Sequence, residues 1–165
     1  MADGALTSPA HLVAAVSGVV ADVTAWGSRP RDEADPALIA RLLHLTGSIP
    51  TRDLLLQRLS VADDAVMLRG AIRALTLAVR VAAVHQVAPA AACLAICQWL
   101  AGDGAAARVA LDRCQEVEPS YSLAHLVSAA LDDGIPPWVW VGLMTDLDPA
   151  VILDGVARGW VGSCG

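Results

Sequence analysis

The feature that most constrains the fold is an apolar seam in the middle of the chain, where hydrophobic residues recur at alternating spacings of four and three. Its members are Val61, Ala65, Leu68, Ile72, Leu75, Val79 and Ala82. This alternation draws one apolar stripe along an α-helix, and such a stripe packs against a second helix. We therefore predict one long helix over about residues 61–86. No segment shows the sustained alternation with a period of two that marks a half-buried strand.

Further helices are predicted where a capping side chain or a proline precedes apolar residues at helical spacing. An N-cap Ser, Thr or Asp accepts a hydrogen bond from a free backbone amide, and proline fits the first turn. The chain has four such starts: Ser8-Pro9, Asp35-Pro36, Pro50-Thr51 and Asp148-Pro149. We predict one all-α domain over residues 1–165, a helical bundle or short solenoid of about seven or eight helices. Residues 28–35 are linker-like, and residues 159–165 form a loose tail.

The composition favours closely packed helices and argues against one class of partner. Hydrophobic residues make up 56% of the chain, mostly Ala, Val and Leu, with no Phe, one Tyr and five Trp. Ala and Leu carry little entropic cost in a helix. The formal net charge is −6. A nucleic-acid-binding surface needs a basic face to replace counterions on phosphates, so we expect no nucleic-acid partner.

The longest uncharged stretch, from Val81 to Gly102, is long enough to cross a bilayer. Three polar side chains lie inside it: His85, Gln86 and Gln98. Pro89 is expected to break the stretch near its middle. We therefore predict buried core helices here, not a membrane span. With neither a secretory signal nor a Cys-x-x-Cys pair, we expect the protein in a reducing cytoplasm.

A helical hairpin with its following helix is predicted over residues 88–133. Gly102 ends the first helix in a left-handed conformation, Asp103 caps the next, and Gly104 completes the turn. Pro119 stops the second helix, and Ser120 is placed to cap the third. Small, bulky and small residues precede that proline, at Ala107, Leu111 and Cys114. This order resembles the second half of a tetratricopeptide repeat, present as one degenerate unit without a second copy in register.

A second resemblance covers more of the chain. The runs RDLLLQRL (52–59) and WLAGDGAAARVALDRCQEVEPSYSLAHLVSAALDDGIPP (99–137), with the short SPAHLVAAVSG (8–18), resemble the actinobacterial domain-of-unknown-function family 4192. Together with the helices between them, the first two cover roughly residues 50–140. In that family a long strand-containing region separates the matching parts. Here a short polar segment separates them, so we expect a shortened member that keeps the helical C-terminal half. The resemblance implies no known reaction and no catalytic residue.

The candidate metal ligands are cysteines. Cys93 and Cys97 share a helix face, and Cys114 lies on the partner helix of the hairpin, so three thiols could converge on zinc. No well-spaced fourth ligand is visible, and Cys164 lies far along the chain. Cysteine is also a common small core residue. We therefore predict that the three thiols pack in the core and that no cofactor is bound.

The remaining titratable groups form no recognisable catalytic set. The histidines are scattered: His11, His44, His85 and His125. His125 could approach Asp112 or Glu116, yet no nucleophile accompanies it. Two acidic pairs, Asp132-Asp133 and Asp146-Leu147-Asp148, could bind a metal. Helix-end and capping roles fit those residues better, and we predict that the protein is not an enzyme.

Candidate interaction residues lie on two surfaces. Three arginines lie outside the apolar seam: Arg69, Arg73 and Arg80. They form either a basic stripe for an anionic partner or an ordinary solvated helix face. Three tryptophans lie near the end of the chain: Trp138, Trp140 and Trp160. The first two belong to the run WVWV, which is strand-like by propensity, although Pro136-Pro137 just before it equally suits the first turn of a helix. We expect both Trp138 and Trp140 to be buried by the last helix. The alternative is that one of them anchors a partner or a second copy.

The absence of a catalytic set, together with a repeat-like hairpin, predicts a non-catalytic protein–protein interaction or scaffolding module. Helical hairpins of this kind expose grooves that bind helices or peptides. The partner is an unidentified protein or a second copy of the chain. The alternative function is a small-molecule or metal-binding regulatory domain that uses the region of Cys93, Cys97 and Cys114.

Overall fold

The computed structural model describes residues 8–29 and 35–157. Over those residues the chain forms nine α-helices and no strand, which confirms the all-α fold with more helices than expected. The helices are α1 (Pro9–Gly27), α2 (Pro36–Thr46), α3 (Ile49–Val61), α4 (Ala65–Val81), α5 (Val84–Leu100), α6 (Gly104–Val117), α7 (Ser122–Asp132), α8 (Pro137–Asp146) and α9 (Pro149–Ala157). The strand-like WVWV therefore lies in helix α8.

Most predicted helix starts are confirmed in their capping contacts. Ser8 caps α1, and Asp35 Oδ1 accepts hydrogen bonds from two backbone amides of α2. Asp148 Oδ1 likewise accepts from the amide of Ala150. The cap predicted at Thr51 is wrong, because α3 begins two residues earlier and Thr51 Oγ1 donates instead to the carbonyl oxygen of Leu45, at 2.6 Å. That buried bond fastens the end of α2 to the start of α3.

The single long helix predicted over residues 61–86 is wrong at both of its ends. Helix α4 begins at Ala65, after Asp64 caps it, and α5 begins only at Val84. Ala82 and Ala83 both have extended backbone, with ψ of 140° and 154°, so the chain turns there and α5 packs back against α4. The apolar seam continues up to this turn, and its spacing alone does not reveal the break.

Pro89 does not break the uncharged stretch, which corrects a second prediction. It lies inside α5, in the sixth position of the helix. Its missing N–H deprives the carbonyl of His85 of a helical donor, and His85 is an exposed residue that water can reach. Every residue from Val87 to Cys97 is buried, because α5 contacts α2, α3, α4, α6, α7 and α8. The stretch lacks charge because α5 is the central helix of the core.

Helix α1 packs on α4 at a crossing where the two backbones touch. A Cβ added at Gly70 would collide with the carbonyl oxygen of Val23, and one added at Gly27 would collide with that of Val66. Side chains of α1 such as Val19 are buried in the same core. Among the described residues, α1 is also the helix that, by length and composition, is long and apolar enough to cross a membrane.

Candidate functional site

The predicted hairpin is formed by α5 and α6, and its turn has the predicted geometry. Gly102 has a positive φ of 83°, and Asp103 Oδ1 accepts a hydrogen bond of 2.9 Å from the amide of Ala106. Helix α6 begins at Gly104 and ends at Val117, two residues before Pro119. The predicted cap at Ser120 is wrong. Helix α7 begins at Ser122, and its N-cap residue, Tyr121, makes no capping bond with its side chain.

The three hairpin cysteines lie in the core. Cys93, Cys97 and Cys114 are free thiols with no exposed surface. Burial raises the pKa of Cys97 to about 12, and burial with the nearby charge of Glu118 raises the pKa of Cys114 to about 12. Burial also raises the pKa of Cys93, although the charge of Arg52 opposes it. The thiols are therefore protonated at neutral pH, whereas metals bind the thiolate.

No metal site is apparent in the described part of the chain. Over those residues no group of three His, Cys, Asp or Glu side chains is arranged to hold a metal ion. Cys164 lies outside the described residues. Metal binding at the hairpin cysteines stays the untested alternative, and no contact among the described residues favours it.

The other candidate acids and bases are dispersed or engaged in helix ends. His125 Nε2 lies 2.7 Å from the carbonyl oxygen of Pro119, and no bond joins it to Asp112 or Glu116. Asp132 forms an exposed ion pair of 2.8 Å with Arg108. The remaining predicted positions are structural or exposed: Asp133 and Gly134 end α7, Asp146 ends α8, and His11, His44 and His85 lie exposed on three different helices.

A groove of about 560 Å³ lies beside the start of α4, and we call it the α4 groove. Arg69 and Arg73 line it from α4, and Asp63 and Asp64 line it from the α3–α4 turn. Arg80 lies further along α4, exposed and outside this lining. The structure thus brings two of the three candidate arginines into one cavity, together with two acids that the sequence pattern did not single out.

The two candidate tryptophans of α8 have opposite environments. Trp140 is buried: its Nε1 donates a hydrogen bond of 2.9 Å to Ser60 Oγ, and its ring centroid lies 6.4 Å from that of Trp99. Trp138 is 72% exposed. The prediction that both are buried is therefore wrong, because residues two apart on a helix point about 200° apart. Trp160 lies outside the described residues.

A second cavity of about 400 Å³, the α7–α8 trench, runs along the buried tryptophan. Its walls are Leu123 and Leu126 of α7 on one side and Leu143 and Met144 of α8 on the other, and Leu56 of α3 lies between them. Helix α7 packs on α6 and α5, whereas α8 packs mainly on α3 and also on α5. The two wall helices thus share α5 as a neighbour, but α7 is otherwise held by α6 and α8 by α3.

One end of the trench is polar, and one of its contacts joins residues far apart in the chain. Arg52 donates from Nε and Nη2 to Asp53 Oδ1, and its Nη1 donates a 2.7 Å hydrogen bond to the hydroxyl of Tyr121. Burial raises the pKa of Tyr121 to about 12, although Arg52 opposes the shift. Burial alone lowers the pKa of Arg52, but Asp53 and Tyr121 outweigh it and the net shift is upward. Sequence reasoning missed this cluster because Tyr121 lies 69 residues from Arg52 in the chain.

Comparison with known proteins gives a family and nothing closer. A family model described as Domain of unknown function (DUF4192) matches residues 3–138. That range includes α1 and α2, so it is longer than the roughly 50–140 that the sequence motifs cover, and it ends within α8. No curated protein and no solved structure shows a significant match to the chain. Because the match spans well over half of the sequence, the chain belongs to the DUF4192 family.

Proposed function

We propose that this protein is a non-catalytic protein–protein interaction or scaffolding module whose contact surface is the α7–α8 trench. The observation that carries the proposal is the exposure of large apolar side chains on both walls. Leu126 is 59% exposed on α7, and Leu143 is 62% exposed on α8. Exposed apolar surface that lines a groove, rather than being scattered singly, is typical of binding sites.

The arrangement of the trench fits a helical partner. Trp140, Leu143 and Met144 recur at helical spacing on α8, and Leu147 follows directly after the helix, so together they form an apolar stripe along one wall. A partner helix laid between α7 and α8 would pack this stripe on its own apolar face. The resemblance of the α5–α6 hairpin to a single tetratricopeptide unit supports the same mode, since such hairpins present grooves for helices or extended peptides.

Trp138 points about 200° away from Trp140 on α8 and lies outside the trench lining, where it is mostly exposed. Tryptophan is among the residues that contribute most to binding energy at interfaces, so Trp138 offers a second contact point outside the trench. The proposal places the module in the cytoplasm. That location is supported by the three buried cysteines, which remain free thiols.

The test compares trench variants with a variant of equal exposure elsewhere. Leu126→Glu and Leu143→Glu each place a charge in the trench. The control, Val109→Glu, places a charge on α6, where Val109 is 69% exposed and lies outside the trench lining. Tagged wild-type and variant proteins are recovered from the native host, and bound proteins are quantified by mass spectrometry. Sedimentation velocity on the purified variants measures self-association.

We expect at least one bound protein, or the self-association, to be lost in both trench variants and kept in Val109→Glu. The same loss must then be reproduced with the purified partner. An identical set of bound proteins in all four samples, with no change in sedimentation, would reject the trench as the contact surface.

A further inference from the structure

The α4 groove is a second cavity, away from the proposed protein-binding trench, and its chemistry differs from that of the trench. Its floor is apolar, built from Leu59, Leu68, Ile72, Leu100 and Val141. Its charged side chains are two arginines and two aspartates, which the cavity brings together from α4 and the α3–α4 turn. A volume of about 560 Å³ lies in the range of cavities that bind small molecules.

One arginine of the groove, Arg73, is held in place by contacts with α1 and the residues just after it. The guanidinium of Arg73 lies 4.7 Å from the ring centroid of Trp26, and its Nη1 donates to the carbonyl oxygens of Trp26 and Arg29 at 3.3 and 3.4 Å. These contacts leave its Nε and Nη2 donors without a partner among the described residues. Arg69, one helical turn earlier, is exposed and makes no ion pair within the same part of the chain.

The negative side lies at the turn before α4. Asp64 uses Oδ1 to cap the helix, accepting from the amides of Val66 and Met67 at 2.8 and 3.0 Å, and its second oxygen has no hydrogen-bond donor among the described residues. Asp63 is exposed and has a φ of 46°, the one positive φ of a non-glycine among the described residues. Asp63 forms no ion pair in the described structure, and it lines the cavity.

The two charged sides do not neutralise each other. No ion pair joins Asp63 or Asp64 to Arg69 or Arg73 among the described residues. Asp64 and Arg69 are five residues apart, which is about 7.5 Å along a helix axis. A polyanion such as a nucleic acid would meet the two carboxylates, whereas a ligand with one charge of each sign would satisfy both sides at once.

We propose that the α4 groove binds a small zwitterion with an apolar body, of the class of the apolar α-amino acids. The carboxylate of the ligand lies against Arg69 and Arg73, its ammonium lies against Asp63 and Asp64, and its side chain covers the leucines of the floor. The site requires no metal, and the proposal is independent of the trench.

The test uses three probes that share one apolar body. L-Leucine carries both charges, 4-methylpentanoate carries the carboxylate alone, and 3-methylbutylamine carries the ammonium alone. Binding of each to the full chain is measured by isothermal titration calorimetry and by tryptophan fluorescence, since Trp26 lies against Arg73. We expect leucine to bind at millimolar concentration or below, and each single-charge probe to bind about tenfold more weakly or worse. L-Valine, L-methionine and L-phenylalanine, which vary the body, complete the panel.

Matched variants assign the effect to the groove. Arg69→Gln and Asp63→Asn should each weaken the binding of the best amino acid by about tenfold, while Arg80→Gln on the same helix leaves it unchanged. Asn tolerates a positive φ, so Asp63→Asn retains the turn, which a thermal melt verifies. Failure of the whole panel to bind, equal affinity for leucine and 4-methylpentanoate, or an equal loss in Arg80→Gln would each overturn the proposal.

Discussion

The α1–α4 contact and the α3–α8 contact hold two helices in place by opposite means. At the α1–α4 crossing the contact depends on the absence of side chains, because Gly27 and Gly70 let the two backbones touch. At the α3–α8 contact the side chains make specific polar bonds. Gln57 donates from Nε2 to the carbonyl oxygens of Met144 and Leu147, and Trp140 donates to Ser60. The first contact has no room to adjust, whereas the second can lose a bond and keep its packing.

This difference has a functional side. Helix α4 carries the arginines of the α4 groove, and the rigid crossing fixes their position relative to Trp26 of α1. Helix α8 forms one wall of the trench and is held at its end by hydrogen bonds from a single glutamine side chain. We therefore expect α8 to shift more readily than α4 when a partner binds, since few polar contacts must break for it to move.

The largest effect is expected at the crossing. Gly70→Ala should lower the free energy of unfolding by more than about 3 kcal/mol, because the added methyl group would collide with the carbonyl oxygen of Val23 in a backbone that cannot move aside. Its control is Gly142→Ala on α8, where nothing lies within 4 Å of the added Cβ. There the same change should stabilise by about 0.5–1 kcal/mol through helix propensity. Urea denaturation measures both, and equal effects would refute the comparison.

The next effect is expected at the glutamine. Gln57→Glu keeps the shape of a side chain that is 5% exposed but replaces the donor with a carboxylate facing two carbonyl oxygens. A loss of about 2–3 kcal/mol is expected at neutral pH. The loss should shrink as the pH falls and the buried acid becomes protonated, since it then donates one bond. A stability difference from wild type that does not change with pH would show that the residue is solvated.

The smallest effect is expected at the tryptophan bond. Trp140→Phe keeps a six-membered aromatic ring but removes the five-membered ring with its N–H donor to Ser60 Oγ, so it should cost about 1–2 kcal/mol in chemical denaturation. Trp138→Phe, two residues away on an exposed face, should stay within about 0.5 kcal/mol of wild type. If Trp138→Phe were the more destabilising of the two, the assignment of Trp140 as the side chain that ties α8 to α3 would be wrong.

The features that were predicted correctly from the sequence are local ones. Four side chains cap helices as predicted: Ser8, Asp35, Asp103 and Asp148. Each accepts a hydrogen bond from an amide two or three residues away, so the local sequence is enough to predict the cap. The positive φ of Gly102 is local in the same way. The break between α4 and α5 was missed because the apolar seam is periodic up to the turn and neither alanine marks it. Pro89 was misjudged because proline is tolerated where the lost carbonyl partner faces water.

The candidate sites depend on contacts that no local pattern carries. Arg52 and Tyr121 are 69 residues apart, and Gln57 and Met144 are 87 apart. The stripe of Arg69 and Arg73 was visible as a charge pattern, and Asp63 and Asp64 precede it closely in the sequence. The cavity that all four residues line also needs Leu100 at the end of α5 and Val141 of α8, which are distant in the chain. Glycine at 27 and 70 likewise reads as an ordinary residue until the helices that cross there are known.

The reactivity of the buried cysteines measures how often the α5–α6 hairpin opens. Cys93, Cys97 and Cys114 have no exposed surface and hold their protons at neutral pH, so a thiol reagent reacts only when α5 and α6 separate. In a Cys164→Ser background, the labelling rate at each of the three sites measures how often that part of the core opens. Oxidants face the same barrier, and the folded state thereby protects these thiols from chemical damage without any reductant.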